Sequence, residues 1–256
     1  MALLEIKDVT MRFGGLVAID SLNTSVERGE IRAVIGPNGA GKTTLINVLT
    51  GVYPPTSGGV YFKGQQVNKL RPYQRVSLGM SRTFQNLRLF GSLSVRENVA
   101  VGQFCRTKTN IVENTFRLPQ VAKEEAAVRE KVDRELDFVG LLDKADWRAK
   151  SLPYGQQRLL EIARALATEP ELILLDEPGA GMTPQETQEL GALIKRIRDR
   201  GLTVLLVDHK MRMVMSTSDS VTVISFGKKI AEGTPAEVQS NPEVIRAYLG
   251  ERGLRT

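Results

Sequence analysis

The sequence predicts an α/β chain interrupted by a helical insert. Three observations carry this. Residues 172–175 and 203–207 are short, almost wholly apolar runs, as in strands buried on both faces of a sheet. Residues 31–35 form a third such run, which leads straight into a glycine-rich turn and then a helical stretch. Between these α/β thirds lies a polar segment with apolar residues at helical rather than strand spacing.

Taken in order, Leu4-Glu5-Ile6-Lys7-Asp8-Val9 alternates as a strand with one exposed face does. Residues 31–35 are the next strand. Residues 42–49 read as a helix stopped by Gly51 and the Pro54-Pro55 pair, and 58–62 as another short strand. From Val95 the pattern turns helical. Residues 122–139 are charged on most faces, with Val128, Val132, Leu136 and Val139 three or four apart. Residues 104–120 have little periodicity and read as a loop or loose insertion. The last third returns to α/β: a strand at 172–175, a helix at 184–198, a strand at 203–207 and a short helix at 211–216. Residues 221–225 and 229–231 read as a hairpin turning near Phe226-Gly227-Lys228. Asn241-Pro242 caps a final helix through Leu249. There is no internal repeat and no flexible linker.

Composition bounds the function. With 256 residues, 41% hydrophobic and 25% charged, the chain is long enough for a sizeable core and ordinary for a globular protein. A single cysteine, Cys105, rules out an intrachain disulfide and fits a reducing compartment. Aromatics at 5% argue against single-strand nucleic-acid binding by base stacking. The formal net charge of +6 is not concentrated in any basic run and reads as a scattered solvated surface. No window reaches the ~18 consecutive apolar residues of a membrane span. The opening Met-Ala-Leu-Leu-Glu-Ile-Lys lacks the regions of a signal peptide, so the expected location is inside the cell.

Gly36-Pro37-Asn38-Gly39-Ala40-Gly41-Lys42-Thr43 fits G-x-x-x-x-G-K-[ST] between a strand and a helix, with Thr44 next. The glycines let backbone N–H groups turn inward around phosphate oxygens, and the helix N-terminus adds partial positive charge. Lys42 reaches the β- and γ-phosphates and the Thr43 hydroxyl holds Mg²⁺. Residues 172–178 end in Asp176-Glu177-Pro178. A buried strand ending in acids sets them beside the cradle: Asp176 for Mg²⁺, Glu177 to orient or deprotonate the attacking water.

Here the chain resembles the ATP-binding subunits of ABC transporters, over nearly its whole length. Leu152-Pro153-Tyr154-Gly155-Gln156-Gln157, followed by Glu161-Ile162-Ala163-Arg164-Ala165-Leu166, looks like the family signature Leu-Ser-Gly-Gly-Gln and its helix. Gln85 matches the Q-loop glutamine, a hinge and Mg²⁺ sensor. His209 matches the switch histidine, and Phe13 the aromatic that stacks on adenine. The Tyr-Gly-Gln-Gln variant and the tail from Asn241 to Gly250 are similar to bacterial branched-chain amino acid importers. The longer middle insertion favours the larger of that system's two ATPase subunits, the LivG type.

The resemblance implies a P-loop NTPase core with an N-terminal antiparallel β subdomain and an inserted α-helical subdomain. Residues 1–85 and 166–256 would be the core, and about 86–165 the helical part. It implies ATP hydrolysis with Mg²⁺, catalysed by Glu177, His209 and Gln85. Tyr154, Gly155 and Gln156 would touch the γ-phosphate held by a second ATP-binding subunit. The other implied partners are integral membrane permease subunits and, through them, an extracytoplasmic substrate-binding protein, with no nucleic acid. The implied location is peripheral, on the cytoplasmic face of the bacterial inner membrane. Leu87-Arg88-Leu89-Phe90 falls where the family contacts its membrane subunits. Three residues depart from the family pattern: Pro153 replaces the signature serine, Thr183 an acid or amide, and Lys210 a common acid. The other readings are a non-transport ABC ATPase acting on nucleic acid or the ribosome, and a P-loop kinase. Fused cassettes and long coiled-coil inserts, common in the first, are missing from the sequence; the signature would have no purpose in the second.

Overall fold

The computed structural model describes residues 2–105 and 119–249. Strands β1 (Ala2–Phe13) and β2 (Leu16–Glu27) form an antiparallel hairpin around Gly14-Gly15. On its other edge β1 pairs with β4 (Ser57–Phe62), which pairs with the two-residue β5 (Gln65–Gln66). The sequence reading finds only the first part of β1 and misses β2. The reason is local. Asp8 and Ser21 take positive φ (49° and 50°), and the pairing register shifts around them. These bulges break the period-2 pattern on which strand recognition rests. Asp8 and Asn23 clasp across the irregularity, the Asn23 amide donating to Asp8 Oδ1 at 2.7 Å.

The second sheet has six strands in the order β10-β9-β3-β8-β7-β6. Its centre is parallel: β3 (Ile31–Ile35) lies between β9 (Ser220–Ser225) and β8 (Thr203–Val207), and β8 pairs with β7 (Leu172–Asp176). β3, β7 and β8 are buried at every position, as their apolar runs require. The polar residues among them are Thr203 and Asp176 at strand ends and Arg32 within β3, whose guanidinium is met by Glu30, Glu232 and the hydroxyls of Thr24 and Thr222. β10 (Lys228–Gly233) closes the edge antiparallel to β9 through a Phe226-Gly227 turn with both φ positive, the hairpin geometry whose twist suits the strands. The opposite edge, β6 (Met80–Arg82), is too short to announce itself in the sequence.

One core lies between the small sheet, helix α1 (Lys42–Leu49) and one face of the large sheet, around Leu4, Leu45, Phe62 and Leu174. The other covers the opposite face, around Ile173, Leu206, Leu190 and Ile194, and continues into the helical part through Val99, Val132, Leu136 and Leu160. Helix α2 (Pro72–Ser77) was not expected. Its Arg75 is fully buried and donates to the carbonyls of Val48, Val67, Leu49 and Leu70, so it caps the C-terminus of α1 with a cation. Burial pushes that guanidinium down to about 10.

The helical part comprises α3 (Val95–Gln103), α4 (Pro119–Phe138) and α5 (Tyr154–Leu166), with single 3₁₀ turns at Leu142–Lys144 and Ala149–Ser151. α3 starts on a Ser94/Glu97 capping box and packs against α4 and α5. α4 begins at Pro119, so the tail of the expected 104–120 loop is helical, while residues 106–118 lie outside the described part. Helices α6 (Pro184–Asp199), α7 (Met211–Thr217), α8 (Pro235–Ser240) and α9 (Pro242–Leu249) complete the chain. Of these only the short α8 escapes the sequence reading.

Candidate functional site

β3 feeds the phosphate cradle. Gly36 is pressed so closely on β9 that a Cβ there would lie 2.1 Å from the Ile224 carbonyl oxygen. Gly41, at φ 104°, would carry its Cβ 2.5 Å from the Ala18 oxygen. Both positions therefore demand glycine. The β9–β10 turn braces the loop: Gly227 N–H donates to Ala40 at 3.0 Å, and its carbonyl accepts Asp20 N–H at 2.9 Å. Asn38 and Gly39 form the exposed crown, Pro37 is half-buried and Ala40 points inward. Lys42 is 8% exposed and donates to the carbonyls of Gly36 and Pro37 at 2.6 and 2.9 Å. Burial lowers its ammonium from the usual lysine range, and nearby Glu177 opposes that. Thr43 is exposed and Thr44 half-buried in the first turn of α1, which holds no acid to oppose an anion.

The acids stand at the end of β7. Asp176 is 3% exposed; burial raises its carboxyl, and the Arg82 guanidinium at 3.3 Å opposes the rise. Glu177 has φ 45°, an uncommon conformation for a non-glycine residue, held by its N–H donating to Val207 at 2.7 Å. One of its carboxylate oxygens accepts the Gln85 amide at 3.1 Å and lies 3.5 Å from His209 Nδ1. Three residues from separate parts of the chain thus meet at one oxygen. Thr43, Gln85 and Asp176 each carry an oxygen that could ligate a metal, the donor type that suits a hard cation such as Mg²⁺. Among the described residues no cluster of three or more His, Cys, Asp or Glu offers a rival site.

Sequence reasoning missed two supports here. Arg82 links Asp176 to α1 by donating to Asn47 and Thr50 at 3.0 and 2.9 Å. Asp208 is fully buried and accepts the N–H of Gly179 and of Lys210, tying the loop after β7 to the loop after β8. The available signal was its place: an acid following an apolar strand, like Asp176. The unusual Lys210 strengthens the tie by donating to the Met182 carbonyl and the Thr187 hydroxyl, both at 3.1 Å. Thr183 is the N-cap of α6, in a capping box with Glu186.

The Tyr154–Gln156 turn opens α5. Gly155 is buried against Glu186, whose carboxylate a Cβ would strike at 2.3 Å. The Tyr154 ring lies over Gly181, and Gln156 accepts from Lys144 at 3.0 Å. None of these contacts is with the cradle of the same chain. Pro153 is the exposed N-cap of α5 and makes no side-chain capping bond. Phe13 is 42% exposed and stands edge-on to Tyr53 at 5.4 Å, so it is not a core residue.

A phosphate cradle on a parallel sheet, facing a Gln–Glu–His cluster and interrupted by a helical insert carrying a glycine at a helix start, defines a nucleotide-hydrolysing cassette. The chain belongs to the ABC transporter family, whose family model matches residues 19–180. A second model, for branched-chain amino acid ATP-binding cassette transporters, matches residues 228–253. The chain is 44% identical over 250 residues to the high-affinity branched-chain amino acid transport ATP-binding protein BraF of Pseudomonas aeruginosa, covering 97% of this chain and 98% of that one. It is 43% identical, with the same coverage, to the protein of that description named LivG in Escherichia coli. Among solved structures it superposes on the ADP conformation of MJ1267, an ATP-binding cassette of an ABC transporter, with a TM-score of 0.86 and 34% identity, over 98% of this chain and 100% of that one. A nucleotide-free cassette from an ABC transporter gives 0.85 and 33%, with the same coverage. The chain is thus an ATPase cassette, and among its described residues no helix is long and apolar enough to cross a membrane.

Proposed function

We propose that this cassette hydrolyses ATP to drive import of branched-chain or related amino acids, and that its site residues work as follows. The N–H groups of residues 36–44 and the Lys42 ammonium hold the phosphates, and Phe13 stacks on adenine. Glu177 accepts a proton from the attacking water, and His209 and Gln85 hold Glu177 in place. Mg²⁺, held by Thr43, Asp176 and Gln85, would offset phosphate charge. Tyr154, Gly155 and Gln156 face a γ-phosphate on a second ATP-binding subunit, so closure of the pair completes each site. The convergence of Gln85 and His209 on one Glu177 oxygen carries this reading.

In the cell the chain docks from the cytoplasmic side onto integral permease subunits that receive substrate from an extracytoplasmic binding protein. Residues 1–85 and 166–256 act as the core and about 86–165 as the docking part. Phe90, 51% exposed, lines a cleft of about 420 Å³ with Arg82, Arg88 and Arg164, and that cleft is the docking surface in this reading. Affinity capture of the full chain from detergent-solubilised membranes should recover integral permeases. Recovery of ribosomes or nucleic acid instead would contradict it.

A further inference from the structure

α5 is tied to the junction between core and insert by a desolvated ion pair. Arg158 and Glu161, one helical turn apart, are each 2% exposed and 3.3 Å from one another. The Arg158 guanidinium donates to the Phe84 carbonyl at 2.8 Å, to the Gln85 carbonyl, and to the Tyr154 hydroxyl at 3.0 Å. Glu161 accepts the Phe84 N–H at 3.2 Å. Beyond the clamp, the Gln85 side chain donates to Glu177. An unbroken path of hydrogen bonds runs Tyr154, Arg158, Gln85, Glu177.

Stability alone does not account for this pair. A buried ion pair is often matched or exceeded by apolar side chains of the same volume, because desolvating two charges offsets their attraction. Burial raises the Glu161 carboxyl, and Arg158 Nε is buried with no hydrogen-bond partner among the described residues. What apolar side chains cannot supply is a grip on the backbone of residues 84 and 85. A planar guanidinium with several fixed donors holds two successive carbonyls at once.

We propose that Arg158, braced by Glu161, is a positioning residue that sets the Gln85 amide against Glu177 and so couples the Tyr154–Gln156 turn to the hydrolytic carboxylate. The proposal rests on the reading of Gln85 given above, and its test separates the two. ATP hydrolysis by the full-length chain is measured against ATP and against Mg²⁺ for the parent, Arg158→Lys, Gln85→Ala and their double variant. Arg158→Lys keeps a charge for Glu161 but loses the fork. It should lower kcat about tenfold, leave the KM for ATP within about twofold and raise the Mg²⁺ needed for half activity. In the Gln85→Ala background it should add no further loss, because both changes break one path. The paired Arg158→Met, Glu161→Leu variant, which leaves no charge buried alone, should show the same kcat loss with a smaller drop in thermal midpoint than Arg158→Met by itself. Equal losses in both backgrounds, or parental kcat in either Arg158 variant, would overturn the clamp while leaving Gln85 intact. Parental kcat and Mg²⁺ dependence in Gln85→Ala alone would overturn the reading of Gln85, and the clamp with it.

Discussion

The Gln85 side-chain amide donates to the Glu177 carboxylate at 3.1 Å, although the two residues are 92 positions apart. Gln85 follows edge strand β6 where the core gives way to the insert; Glu177 follows buried β7, and β6 and β7 pair in parallel. The contact therefore joins the segment that leads from β6 into the helical part to the residue that ends β7.

The arginine under the cradle helix is expected to be a stability determinant. Arg75 satisfies four carbonyls, two of them at the end of α1. Arg75→Ala would leave buried acceptors unsatisfied and open a cavity, a cost of about 3–5 kcal/mol. Urea unfolding of the full chain measures it. A loss below about 1 kcal/mol would show that α1 does not depend on this cap.

Much of this was legible and some was not, for identifiable reasons. β3, β7 and β8 are buried on both faces, so their apolar runs announce them, and the strand–turn–helix around residues 36–43 follows from the G-x-x-x-x-G-K-[ST] pattern set between an apolar run and a helical stretch. β2 stays hidden behind the bulges at Asp8 and Ser21, although the Gly14-Gly15 pair between two alternating stretches was a hairpin signal. α2 hides because its buried residue is an arginine, which no hydrophobic pattern registers. In the site, Glu177 was named from its place at the end of a buried strand and Gln85 and His209 from resemblance, and the structure brings the three together. Arg82 and Arg158 act through carbonyls, hydroxyls and neighbouring acids, and Asp208 by accepting backbone N–H groups, and such partners are set by tertiary packing rather than spacing.

The capping box of α6 predicts a pH dependence. Glu186 accepts from the N–H and hydroxyl of Thr183, and these bonds hold its carboxyl below the ordinary value of 4.5. A depressed folded-state value contributes stability that is present above the ordinary value and lost as pH falls through the depressed one. Glu186→Gln should therefore be less stable than the parent at neutral pH, and the two should converge as the solution is acidified below about pH 4. Urea midpoints across that range test it. A gap that widens on acidification would contradict the sign.

Pro153 predicts a gain on reversal. It occupies the N-cap of α5 with no capping bond, a position where serine is favoured by about 1 kcal/mol over residues that cannot cap. Pro153→Ser should stabilise the start of α5 and supply a hydroxyl and an N–H where the proposed second subunit would bring its γ-phosphate. Steady-state hydrolysis by the assembled transporter should rise. An unchanged or lower rate would show that this position does not limit the site.

The most direct test of the account is Glu177→Gln in the full chain, with bound nucleotide, released phosphate and sedimentation followed on the same sample. The amide keeps the size of the side chain but removes its ability to take a proton, so phosphate release should fall by about a hundredfold or more. ATP should still bind, and the nucleotide-bound chain should sediment as a stable dimer. Phosphate release at the parental rate would contradict the central claim that Glu177, held by Gln85 and His209, is the hydrolytic base.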